Sequence, residues 1–215
     1  MEGDDFIVRE EPLLWIDIET TGLDPAAPEA RILAVGLLVT DHNLVIKESI
    51  ELLVGPPPIP SEVELWPEAV QDMHKNSGLI EALWATHSRG QLFDTDETAW
   101  RLATWVHDRF PEGKVMPAGA SLQFDRKWLE VYMPSVARQL HYRQADVSAL
   151  REFCQRWLPG CSDEDIKAAG AGKRDVHMPI PDIIDSIKLA AFLRGRMERG
   201  YGGTDLVGFD LDSPS

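Results

Sequence analysis

Asp17 and Glu19 stand two residues apart at the end of the apolar run Leu13–Ile18. In an extended strand, residues i and i+2 share a face, so both carboxylates leave a buried element on the same side. Two like charges in that position are costly unless a cation offsets them. Half of a divalent-metal site is one outcome of this pattern, and the solvated end of a strand is the other. Asp125 falls in the first turn of an expected helix that follows a strand, the edge where ligands gather in open α/β sheets. An acid there equally suits the helix dipole. Asp182 enters the last expected helix behind Pro181, and His177 lies five residues before it in a loop rich in Gly and Lys. The order Asp-x-Glu, Asp, His-x4-Asp thus supplies four carboxylates and an imidazole. Four such acids can hold two hard divalent cations about 4 Å apart and stabilise in-line displacement at phosphorus. A loop histidine can then take the proton from the attacking water as general base.

The elements that must position these residues follow from periodicity. Arg31–Thr40 is a nearly continuous apolar run, as expected of a strand covered on both faces. Asp41-His42-Asn43 turns it into a second strand over Leu44–Val54, and Gly55 with three prolines ends this sheet section. Ser61 and Glu64 have capping-box spacing for a helix reaching about Met73, with Pro67 able to restart it. The His74–Gly78 stretch breaks that helix, and Leu79–Thr86 forms a short one. Asp94 or Thr95 caps the next, whose apolar stripe is Ala99, Leu102, Ala103, Val106 and Phe110. Strands are expected at Lys114–Ala118 and Tyr142–Val147, and helices at Leu122–Tyr132, Ser148–Leu158 and Pro181–Arg199. The Ser148 helix carries Leu150, Phe153, Cys154 and Trp157 on one face, and Pro159–Arg174 reads as a loop. A strand meander followed by strands alternating with helices is an α/β pattern with a mixed sheet. The expected organisation is a disordered lead-in over 1–11, one domain over 12–199, and a disordered acidic tail over 200–215.

With 36 acids against 21 Lys and Arg, the formal net charge is −15. That balance argues against gripping long nucleic acid through its phosphates, which needs clustered basic residues. It leaves room for a small phosphorylated ligand at a local cationic site. Cys154 and Cys161 have no His or Cys neighbours at metal-ligand spacing, so neither a zinc site nor a disulfide framework is expected, and the reducing cytoplasm is the expected compartment. No apolar run approaches the ~18–20 residues of a membrane span, and the acidic start is unlike a signal peptide.

The blocks WIDIETTGLDP at Trp15–Pro25, LVTDHNL at Leu38–Leu44, MHKNSGL at Met73–Leu79, Ser121 with Asp125, YMPSV at Tyr132–Val136 and HYRQADVSAL at His141–Leu150 resemble the DEDD-type 3′→5′ exonucleases of the histidine-containing branch. Within that branch they are most similar to the oligoribonuclease family, and the HYR-x-x-DVS pattern is the most specific marker. The resemblance covers about Leu13 to Phe192. It implies an RNase H-like fold with a mixed five-stranded sheet flanked by helices. It also implies a homodimeric enzyme that uses two Mg²⁺ or Mn²⁺ ions to hydrolyse dinucleotides and short oligoribonucleotides to 5′ mononucleotides. Asp17, Glu19, Asp125 and Asp182 would hold the metals and His177 would be the general base. Leu23 would wedge against the bases, and His74, Ser121 and Ser148 would line the dinucleotide pocket. Tyr142 and Arg143 would reach across the dimer to cap the substrate's 5′ end, where paired hydrogen bonds from arginine suit a phosphate. On residue type alone, Ser148 is also a possible helix N-cap, His74 a helix C-terminal cation, and Tyr142 and Arg143 strand-edge residues.

The chain departs from the family pattern in places. Ala120 stands where an asparagine is usual, Trp66 is the nearest candidate for a stacking tryptophan, and Met178-Pro179-Ile180-Pro181 separates His177 from Asp182. Two other functions fit some of these residues: a DNA-directed 3′→5′ exonuclease, and a catalytically weak dinucleotide-binding protein, the latter suggested by the altered His177–Asp182 segment.

Overall fold

The computed structural model describes residues 9–111, 113–174 and 176–200. All of the tail expected over 200–215 except Gly200, which ends the last helix, and most of the lead-in lie outside the described residues. Three strands open the chain as a meander: β1 (Leu13–Thr20), β2 (Ile32–Thr40) and β3 (Ile46–Leu53). Four helices follow: α1 (Pro60–Val63), α2 (Glu68–Ser77), α3 (Leu79–Ser88) and α4 (Thr95–Arg109). Then come β4 (Met116–Gly119), α5 (Gln123–Tyr132), α6 (Pro134–Ala137), β5 (Ala145–Asp146), α7 (Val147–Trp157), α8 (Asp163–Ala168) and α9 (Pro179–Gly200). The sheet order is β3-β2-β1-β4-β5. β1 pairs with β2, and β2 with β3, antiparallel, while β4 and β5 join parallel to β1. This is the mixed five-stranded RNase H-like α/β sheet.

β1 divides its side chains by parity. Leu14, Ile16 and Ile18 enter one core with Leu102 and Val106 of α4 and Trp128 and Leu129 of α5. Trp15 enters a second core on the opposite face, with Val147 and Cys154 of α7 and Ile183, Ile187 and Leu193 of α9. Asp17 and Glu19 share the parity of Trp15, so they emerge on the face that α9 covers. β2 is buried at all nine of its residues because helices cover both sides of it.

A row across three strands brings α9 to that face. Asp17 pairs with Gly36, and Gly36 pairs with Glu51. A Cβ on Gly36 would lie 2.6 Å from Cβ of Pro179, so only glycine lets the start of α9 settle on the sheet beside Asp17. Glu51 Oε2 accepts a hydrogen bond from the Ile180 N–H at 3.1 Å, satisfying a first-turn donor of the same helix.

Several boundaries differ from expectation for local reasons. The first helix begins at Pro60, and Glu62 rather than Glu64 reaches back to the Ile59 N–H at 3.2 Å. Pro67 separates it from α2, which continues through His74 to Ser77 and stops at Gly78 in the left-handed region. The stretch read as loop over Pro159–Arg174 contains α8, capped by Ser162, whose hydroxyl accepts from the Asp165 N–H. The strand expected over Tyr142–Val147 shrinks to two residues, and Asp146, not Ser148, is the N-cap of α7. α9 starts at Pro179, so both prolines occupy its first turn, where a missing N–H leaves no hydrogen bond unmade. The face expected to bury Phe153 and Trp157 is only half covered. Cys154 is buried, whereas Phe153 and Trp157 are exposed and stack on each other with ring centroids 4.8 Å apart.

Candidate active site

Asp17, Glu19 and Asp182 offer carboxylate oxygens that all lie within 4.8 Å of one another. The first two come from the end of β1 and the third from the first turn of α9, delivered by the Gly36 contact. Asp125 closes the opposite wall. β4 pairs with β1 only as far as Trp15, which frees the Ile18 N–H, and Asp125 Oδ1 accepts that hydrogen bond at 3.0 Å. Asp125 therefore fixes α5 to the strand that carries the other two acids. Asp182 Oδ1 is buried without a hydrogen-bond partner among the described residues, an arrangement that suits a metal ligand better than a structural carboxylate.

The electrostatics follow from this crowding. Burial, and then the neighbouring Asp125, Glu19 and Asp182, hold the Asp17 carboxyl well above its usual range. Burial first, and Asp182 second, raise Glu19 to about 7. Burial raises Asp125 to about 8, against the hydrogen bonds it accepts from backbone N–H groups. A set of carboxylates that resists ionisation without added positive charge is the donor chemistry that hard divalent cations fit.

These acids lie in a cleft of about 460 Å³ with a polar and an apolar half. The apolar half is formed by Leu23, Pro67, Val70, Met73 and Phe124. Leu23 is 79% exposed, an unsupported apolar side chain at the rim. His177 lines the same cleft and holds a positive φ of 52°, backbone strain of the kind that persists at functional sites. Ser121, also at positive φ (57°), borders the cleft and donates its hydroxyl hydrogen bond to Ser148 Oγ at 3.2 Å. A second cavity continues past Asp17 and Asp182 and is walled by Ser121, Ser148 and Arg151.

His74 is not in the cleft wall. Its side chain is fully buried beneath β1, where Nε2 donates to the Thr20 carbonyl at 2.8 Å. Nδ1 faces Glu19 Oε2 at 3.9 Å without a hydrogen bond, and burial lowers the ring's pKa. A neutral His74 therefore ties α2 to the end of β1 at Thr20, behind Glu19. Trp66 is buried too, edge-on against the His74 ring, and leaves the apolar wall to α2. Tyr142 and Arg143 are brought to neither cavity. They precede β5, Tyr142 is 70% exposed, and the Arg143 guanidinium lies 5.3 Å from the Tyr142 ring centre.

Three functional groups escaped the reading of the sequence. The Asp146 carboxylate accepts hydrogen bonds from the N–H groups of Ser121, Leu122, Ser148 and Ala149, tying the β4 turn to the start of α7. An aspartate two residues before Ser148, at the expected start of a helix, was the available signal. Lys173 Nζ lies 3.0 Å from Asp182 Oδ2. The Arg174 Nε–H lies 2.8 and 3.0 Å from the two carboxylate oxygens of the buried Asp185, one turn after Asp182 on α9. No local pattern marks either cation, because both matter only through the way this loop folds back onto α9.

The exonuclease family model, RNase_T, matches residues 14–190. An oligoribonuclease from Actinobacillus succinogenes is 35% identical over 187 residues, covering 86% of this chain and 94% of its own length. An oligoribonuclease from Haemophilus influenzae is 34% identical over 194 residues, with the same coverage of each chain. Among solved structures, E. coli exonuclease I in complex with a dT13 oligonucleotide superposes with a TM-score of 0.61 at 17% identity. That likeness covers 89% of this chain and 43% of the larger protein, and is one of fold.

Proposed function

The chain belongs to the oligoribonuclease family of exonucleases, and from that premise we propose a residue-level account of how it hydrolyses RNA ends. It is a 3′→5′ exoribonuclease acting on short oligoribonucleotides. The observation that carries the residue assignment is the convergence of Asp17, Glu19 and Asp182 oxygens within 4.8 Å, with Asp125 and His177 on the same cleft.

In this reading Asp17, Glu19, Asp125 and Asp182 hold two divalent cations, Mg²⁺ or Mn²⁺. When bound, such cations supply Lewis-acid stabilisation of the charge that develops on the phosphate and on the leaving oxygen. His177 accepts the proton of the attacking water. The new P–O bond forms as the bond to the 3′ oxygen of the preceding nucleotide breaks, releasing a 5′ mononucleotide. Leu23 and the α2 side chains pack against the bases, and Ser121 and Ser148 donate to the sugar–phosphate backbone. His74 acts by holding the end of β1 at Thr20 rather than on the substrate. Asp146 positions both serines.

A cleft closed at one end by a partner would explain a preference for very short chains, and a net charge of −15 then poses no obstacle, because no long basic track is needed. We further propose a homodimer in which Tyr142 and Arg143 of one copy close the cleft of the other. Their exposure, and their distance from the cleft of their own chain, support this. We take the cytosol as the compartment, supported by two buried cysteines that carry free thiols. Residues 12–199 form the exonuclease domain in this account.

The test is hydrolysis of a 5′-labelled RNA dinucleotide with Mg²⁺, beside the Asp17→Ala variant and a matching DNA dinucleotide. Metal-dependent release of mononucleotide by the intact protein alone, faster on RNA, is expected. Turnover unaffected by Asp17→Ala would remove the residue assignment.

A further inference from the structure

We propose that Lys173 is a built-in placeholder cation, which neutralises the carboxylate cluster and must leave Asp182 when a divalent ion binds. This rests on the metal-site reading above. Lys173 Nζ lies 3.0 Å from Asp182 Oδ2, within the trio whose oxygens converge, and it borders both cavities. An ammonium at that oxygen and a divalent ion among the same carboxylates repel each other, so the two cations compete for the cluster.

The neighbouring residue shows how the two functions are divided. Arg174 meets Asp185 through its Nε–H and, from the backbone, through its own N–H at 3.1 Å. A guanidinium second contact reaches the Pro181 carbonyl at 3.4 Å. That clamp fixes the loop to α9 and sets the approach of the segment that continues to His177. Among the described residues Lys173 has a single ion-pair contact, and it has a flexible four-carbon stem and a side chain that is 55% exposed, whereas Asp182 is buried. The loop is therefore pinned at Arg174 while the Lys173 side chain is free to swing out. Asp182 also keeps a second oxygen that has no partner among the described residues and is open to the incoming ion.

A placeholder stabilises only the ion-free protein, so removing it must strengthen metal binding while weakening the fold. Lys173→Met should tighten Mn²⁺ binding about tenfold by calorimetry without substrate, the scale of one unit charge acting through a partly solvated site. The same variant should melt below wild type in EDTA and gain more from Mn²⁺. Lys173→Arg keeps the charge and should stay near the wild-type affinity. In wild-type protein labelled with ¹⁵N-lysine, the side-chain ammonium signal of Lys173, assigned by its loss in Lys173→Arg, should shift on Mg²⁺ titration. Unchanged or weaker Mn²⁺ binding in Lys173→Met overturns the proposal, and so does a Lys173 signal indifferent to Mg²⁺, a titration that does not depend on the folding of Lys173→Met. If wild type binds no Mn²⁺ at all, the metal-site reading fails instead, and the two failures are distinguishable.

Discussion

Glu19 and Asp125 titrate near neutrality, at about 7 and about 8, because both are buried among other acids. In an unfolded chain these groups ionise near their ordinary values of 4.5 and 3.8. Between those limits the folded protein holds more protons than the unfolded one, so stability from this source falls as pH rises. It is fully present below the unfolded values and lost as pH climbs through the folded ones. Thermal melts in EDTA should therefore show a lower Tm at pH 8 than at pH 5.5, Glu19→Gln should flatten the slope, and Mn²⁺ should remove much of it. By the same linkage, Mn²⁺ affinity should rise with pH up to about 8. His177 gives the second expectation at this scale. As proton acceptor it acts on the chemical step, so His177→Ala should lower single-turnover rates by ~10²–10⁴ while leaving dinucleotide affinity near wild type. Equal losses in rate and binding would instead assign it to substrate positioning. The convergence of the acids was legible because strand parity and first-turn placement are local properties, whereas His177, in a loop, stood out only by its spacing to Asp182 and by the family resemblance. The role of His74 was not legible: nothing in MHKNSGL tells a pocket residue from one buried under Glu19, since that depends on β1 passing over α2.

At the scale of elements, the site depends on how closely α9 approaches β2. Gly36→Val replaces a glycine with a good strand former, so local propensity alone predicts no harm. Its Cβ would meet Pro179 at 2.6 Å, and one of the two elements must move. We expect a stability loss of roughly 1–3 kcal/mol from overpacking, together with weaker Mn²⁺ binding because Asp182 is carried away from Asp17 and Glu19. Denaturant melts and calorimetry measure the two effects separately. Stability lost with unchanged metal affinity would show that α9 shifts without moving its first turn. The long elements were readable: β2 from its continuous apolar run and α4 from its stripe at helical spacing. α8 was missed because its six residues span too little of a period to stand out from a segment rich in Gly and Asp. The extent of β5 was overread because Tyr142 and Arg143, counted into the strand, stand on the surface rather than in a ladder.

That surface matters at the scale of the whole molecule. Tyr142 and Trp157 are each 70% exposed, and Phe153 is 53% exposed. Exposed aromatics of this kind are typical of interface residues, which combine large contact area with polar edges. Yet Arg143 and Tyr142 border neither cavity that contains the acids. If they serve catalysis, they serve another copy. The homodimer proposed above makes a prediction that a monomer cannot satisfy. Asp17→Ala lacks a metal ligand in its own cleft, and Arg143→Ala lacks the residue offered to its partner's cleft, so each homodimer should turn over dinucleotide poorly. In a mixed dimer, the cleft built on the Arg143→Ala chain keeps its Asp17 and receives an intact Arg143 from the other copy. Mixing the two inactive proteins and allowing subunits to exchange should therefore restore part of the wild-type rate, at one cleft in each mixed dimer. Light scattering should report a mass of two chains for all three species. Dimers that exchange but stay inactive would confine Arg143 to its own chain, and a mass of one chain would leave both residues with no cleft to close.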